Sequence, residues 1–134
     1  MYYRVYEQWK DFPKVIEYAD KLVALGERVD AASRYAALYA STVAYNSMHS
    51  DDPKLAEDAR GRALAAVALQ SALKRPPMLD ERAFADEKNR AAIYLHATAG
   101  IAALIAKDYA AATESFTAVM GLSKPHIRTT TTPK

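Results

Sequence analysis

The sequence predicts an all-α fold, and three observations lead there. Alanine makes up about a fifth of the chain; it is the strongest helix former, and its small side chain lets helix axes approach closely. Only four glycines are present, and no stretch sustains the apolar–polar alternation of β-branched residues that marks a strand. The chain also repeats itself. KDFPKVIEYADKLVAL at residues 10–25 is echoed by KDYAAATESFTAVMGL at 107–122. Lys10 aligns with Lys107, Asp11 with Asp108, Phe12 with Tyr109, Glu17 with Glu114, Leu22 with Val119 and Leu25 with Leu122. Such an echo points to repeat architecture.

Caps and breakers divide the chain into six predicted helices. The first, about 2–9, leads through Lys10-Asp11 into a second at about 12–25. Asp11 is a good N-cap, with Pro13 in the first turn, where its missing N–H does little harm. Gly26 ends that helix as a C′ glycine. The third runs from about Asp30 to Met48, followed by the loop NSMHSDDPK, where Asp52-Pro53 reads as N-cap and N1. The fourth, about 53–74, stops at Lys74-Arg75-Pro76-Pro77, where the prolines forbid continuation and two cations complement the helix dipole. Asp80 starts a long fifth helix to about Ala106, whose first turns, DERAFADEKNR, are predicted to project past the body of the fold. Lys107-Asp108 turns the chain into the sixth, about 109–122. The remainder, SKPHIRTTTTPK, lacks helical periodicity, so residues 1–124 are expected to form the domain and 125–134 a flexible tail.

Composition narrows the function. The 134 residues fit one domain with room for a core that needs no staples. The absence of cysteine excludes disulfides and thiolate metal sites, and a net charge of +2 gives no field that argues for nucleic acid or an anionic membrane. MYYRVYEQWK lacks the basic start and apolar stretch of a signal peptide. The least polar run, residues 91–106, falls short of the ~20 apolar residues that cross a bilayer. A soluble chain without membrane insertion is expected, its compartment unassigned.

Paired helices with this rhythm resemble the tetratricopeptide repeat family. In the third pair Gly100 falls at the small position of the first helix, Tyr109 follows the turn, and Ala112, Phe116 and Val119 take the second-helix rhythm. A mid-helix glycine costs ~1 kcal/mol against alanine, so close approach of the sixth helix at Gly100 is expected. In the first pair Tyr6 takes the aromatic position, and Phe12, Val15 and Leu22 match the second helix. The middle pair offers Ala37, Ala56 and Ala63, with Arg60 where the family has an aromatic. The resemblance implies a right-handed solenoid of antiparallel helix pairs. It further implies a concave groove that binds a peptide or protein segment, lined by Arg4, Gln8, Arg34, Leu38, Thr42, Tyr45, Tyr94, Ile101 and Ile105. The carboxylate clamp of some members is not implied, because Leu38 stands at the asparagine's place and Arg34 at a lysine's.

Catalysis and cofactors are not expected. His49, His96 and His126 accompany no metal-binding or phosphate-loop motif. An enzyme using His49 and Asp51 on a metal is the third reading, set against Asp52 as a cap and His49 as a loop residue. His96 reads as a core histidine that needs a tyrosine hydroxyl or carbonyl partner. Arg60-Gly61-Arg62 and Lys74-Arg75 read as solvated surface. The alternative function is structural. The chain starts mid-repeat, so it is expected either to be part of a longer repeat protein or to form a homodimer through a solenoid end. Ala111, Ser115, Ala118 and Leu122 would offer the flank for another helix.

Overall fold

The structure, a computed structural model, describes the backbone of residues 11–131 and side chains as far as Ser123. The predicted helix at 2–9, with Arg4, Tyr6 and Gln8, lies outside the described residues. Five α-helices follow one another: α1 (Phe12–Ala24), α2 (Ala31–Met48), α3 (Pro53–Leu69), α4 (Glu81–Ile105) and α5 (Tyr109–Thr131). Short 3-10 turns, Gly26–Arg28 and Gln70–Ala72, lie in the α1–α2 and α3–α4 links. Among the described residues there is no strand.

Each of the five described α-helices begins at an aspartate. Backbone N–H groups of Lys14, Ser33, Lys54, Ala83 and Ala111 donate to the carboxylates of Asp11, Asp30, Asp52, Asp80 and Asp108, at 3.4, 2.8, 2.8, 2.7 and 3.1 Å. Each bond satisfies a donor that the first turn leaves without an intrahelical acceptor. Hydrogen bonds from the Ser33 side chain and backbone hold the Asp30 carboxyl below its ordinary pKa. The two ends of the echo therefore share one device, since Asp11 and Asp108 cap α1 and α5 alike.

Helix ends follow their own local rules. Gly26, at φ 63°, adopts the left-handed conformation expected after α1. Lys107 does the same at φ 62° after α4, where the Asp108 N–H reaches the Ala103 carbonyl at 2.8 Å and the Lys107 N–H reaches that of Leu104 at 3.0 Å. These are the paired bonds of a Schellman turn. α3 stops at Leu69 rather than near 74, the intervening residues tightening into the 3-10 turn. α5 continues past the end predicted at about 122 and through Pro125. Gly121 does not take positive φ, so no left-handed turn stops the helix there.

Each helix packs on the next, and α2 also meets α4. Alanine dominates the seams. Ala63, Ala66 and Ala99 join Leu38 and Leu95 in the central cluster, Ala40 and Ala44 meet Val15, and Ala56, Ala59 and Ala102 meet Tyr45. Ala103, Ala111 and Ala112 form the α4–α5 seam with Phe116 against it. There Gly100 is buried, and a Cβ added to it would lie 2.7 Å from the Phe116 ring. The close approach expected from an interior glycine is present. Polar bridges cross the seams as well. Arg62 donates twice to the Asp20 carboxylate, both at 2.8 Å, tying α3 to α1.

Candidate functional site: a groove between α2 and α4

A groove of about 660 Å³ opens where α2 and the first half of α4 face one another. Tyr35, Ala36, Tyr39, Ala40 and Val43 form the α2 wall. Positions 35, 39 and 43 recur every fourth residue, and 36 and 40 lie beside them, so the set makes one helical face. Leu73, extended after the 3-10 turn, closes one side. Phe84, Glu87, Lys88, Arg90 and Ala91 form the α4 wall. The result is an aromatic and aliphatic surface with charges at one rim.

Hydrogen bonds hold this surface in shape. Gln70 Nε2 donates to Tyr35 Oη at 3.2 Å and to the Lys88 carbonyl at 2.9 Å, joining both walls. Tyr35, Tyr39 and Tyr94 form a tilted row, with ring centroids 6.1 and 5.5 Å apart. Asn46 Nδ2 donates to Tyr94 Oη and to Thr98 Oγ1, both at 2.8 Å, fixing the end of that row. Burial, reinforced by Tyr94 and Tyr35, pushes the Tyr39 phenol above its ordinary pKa, so it stays neutral and able to donate. Lys88 lies over the Phe84 ring at 4.7 Å, an arrangement worth ~0.5–1 kcal/mol at an exposed site.

The residues expected to line a groove fall largely elsewhere. Leu38, Thr42 and Tyr45 are only 3, 1 and 5 % exposed and belong to the core. α3 packs on that side of α2, and the Thr42 hydroxyl turns back to the Leu38 carbonyl at 2.9 Å. Arg34 is half-buried, its Nε donating to the Val29 carbonyl at 3.1 Å. Ile105 packs beside Tyr45, whereas Ile101 is 51 % exposed on the far half of α4. Of the described candidates only Tyr94 adjoins the groove, through Tyr39. The groove face of α2 is thus rotated by one residue, from 34, 38, 42 and 45 to 35, 39 and 43.

The residues read as repeat packing differ in burial, and Tyr6 lies outside the described residues. Ala37, Ala56, Ala63 and Ala112 are buried, and Phe12, Phe116 and Val119 are half-buried. Tyr109 is a correction, being 63 % exposed at the start of α5. It shares a face with exposed Thr113 and Met120, away from α4. The charged start of α4 is a second correction: one side of DERAFADEKNR is a groove wall and not a free projection.

His49 takes the left-handed position after α2, at φ 51°, and Asp52 is engaged as the α3 cap. Among the described residues no three His, Asp or Glu side chains are grouped to hold a metal. His96 departs from expectation, because its buried Nδ1 has no hydrogen-bond partner among the described residues, and burial lowers its pKa below 6.5. Ala111 and Ser115, expected to offer a docking flank, are 6 and 3 % exposed and already covered. No described helix is long and apolar enough to cross a membrane. Comparisons with protein-family models, curated proteins and solved structures found no match for this chain.

Proposed function

We propose that the chain is a non-catalytic binding module, a tetratricopeptide-like array that takes a peptide or protein segment into the α2–α4 groove. The observation that carries this reading is the aromatic groove between helices that begin successive pairs, α2 with α3 and α4 with α5. Concave, mostly apolar surfaces with a few placed polar groups are the usual form of a binding site. Tyr39 and Phe84 supply rigid anchors of the kind that dominate interface energies. Tyr35 and Val43, both half-buried on the α2 wall, extend the strip along that helix, which suits a segment with side-chain anchors at helical or extended spacing.

Selection of peptides from a displayed library against the whole protein tests this. Enriched peptides should carry aromatic or aliphatic anchors. Tyr39→Ala and Phe84→Ala should each weaken them at least about tenfold, as loss of an interface anchor does, with helicity unchanged. Peptides that bind both variants as tightly as the parent would refute the groove.

A further inference from the structure

We infer that a second, smaller hollow, between α3 and the α4–α5 turn, binds a free α-amino acid with a small aliphatic side chain. The hollow measures about 270 Å³ and is lined by Glu57, Arg60, Ala102, Ala103, Ala106 and Asp108. Pockets for drug-sized molecules run to roughly 300–1,000 Å³, so this one fits something smaller. It is separate from the groove, because the step from Ala91 on the groove wall to Ala102 is ~16 Å along α4.

The lining is built from three elements. Glu57 and Arg60 stand one turn apart on α3 and share a face. Ala102 and Ala103, 0 and 1 % exposed, and half-buried Ala106 lay a floor of methyl groups along the end of α4. The Asp108 N–H, bonded to the Ala103 carbonyl at 2.8 Å, pins Asp108 to that floor. Its Oδ1 accepts the Ala111 N–H at 3.1 Å, which leaves Oδ2 unengaged among the described residues.

Three charges of mixed sign thus line one small space without neutralising one another. No ion pair joins Arg60 to either carboxylate, and its Nε is sealed from solvent with no hydrogen-bond partner among the described residues. A charged donor left in that state is costly. Nη1 and Nη2 are not sealed in this way, and they offer the fork of donors that a carboxylate takes. An anion alone would meet Arg60 but also Glu57 and Asp108. A cation alone would meet the two carboxylates but also Arg60. A molecule with ammonium and carboxylate on a single carbon satisfies both signs. Its carboxylate goes to Arg60, its ammonium to Glu57 and Asp108, and its side chain to the alanine floor.

L-Valine is the probe, added to the full chain with alanine methyl groups labelled for NMR. Saturable shifts are expected at Ala102, Ala103 and Ala106, and not at Ala36, Ala40 and Ala91 of the groove. Isovalerate, which lacks the ammonium, and isobutylamine, which lacks the carboxylate, should each bind at least about tenfold more weakly. Arg60→Gln and Glu57→Gln should each weaken valine by a similar factor, with circular dichroism unchanged. Glu57 is exposed, so its variant keeps the fold even if Arg60→Gln does not. Tyr39→Ala should leave valine binding unaltered, which separates this site from the groove. Absence of saturable shifts in the parent would overturn the proposal. So would an isostere that binds as tightly as valine, or affinity that survives both substitutions in the hollow.

Discussion

Gly100→Ala puts a methyl group where Phe116 already stands. The new carbon would lie 2.7 Å from Cζ of the ring and 2.9 Å from Cε1 and Cε2. Unstrained carbon contacts sit at ~3.5–4.0 Å, so the ring must retreat by about 1 Å into the α4–α5 seam. Overpacking of that kind costs roughly 2 kcal/mol, against a gain of ~1 kcal/mol from removing an interior helix glycine. The net expectation is a loss of about 1 kcal/mol, or a melting temperature lower by ~4 °C for a domain of this size. Gly61→Ala is the matched control. It lies in α3, exposed, with no atom within 4 Å of an added Cβ, so the propensity gain stands alone and the variant should be more stable by ~1 kcal/mol. Thermal and urea unfolding followed by circular dichroism measure both. In a Phe116→Leu background, which lacks the ring edge, Gly100→Ala should change sign and become stabilising. Equal stabilisation by Gly100→Ala and Gly61→Ala in the parent would refute the packing argument.

Other expectations rest on single features. Gly26→Ala should cost ~1–2 kcal/mol despite open space around it, because an L-residue is strained at positive φ; the melting temperature checks it. Asp108→Ala should lose ~1 kcal/mol by removing the α5 cap, while Asp108→Asn, which keeps an acceptor, should lose much less, as urea titration would show. Burial holds the folded-state pKa of His96 below 6.5, so the unfolded chain takes up that proton first as pH falls. The contribution of His96 is level above pH 6.5 and turns destabilising below it, giving stability that rises with pH through that window. His96→Leu should flatten that part of the melting-temperature profile and leave the neutral region free of the unpartnered Nδ1; an unchanged profile would count against the assignment.

Much of the fold was legible in the sequence because its signals are local. Asp11, Asp30, Asp52, Asp80 and Asp108 each stand before a helical run, and capping needs only a carboxylate within reach of the next two or three N–H groups. Gly26 and Gly100 were legible for opposite reasons, one as a backbone that must turn, the other as an interior glycine that needs a close neighbour. The groove was not legible, and α2 shows why. AASRYAALYASTVAYNSM is apolar or small almost all round, so no period selects a face. Leu38 and Tyr39 are adjacent and both hydrophobic; only packing of α3 on one side and α4 on another sends the first inward and leaves the second on the groove. The Phe84 wall was obscured by its charged neighbours, which made a half-covered helix look wholly solvated. His96 was missed differently, because its residue type demands a partner that the described residues do not supply.

The alanine seams carry a consequence for alignment. Smooth rods bearing only methyl groups meet almost equally well after sliding by one turn, since a methyl in one notch resembles a methyl in the next. Shape alone therefore leaves several offsets close in energy. What distinguishes them is the sparse set of keyed contacts: Asn46 reaching Tyr94 and Thr98, Gln70 spanning Tyr35 and the Lys88 carbonyl, Arg62 gripping Asp20, and the Phe116 ring seated on Gly100. Stripped of those keys, the array should keep its helices but lose its unique alignment, with broadened side-chain resonances appearing before any loss of helicity.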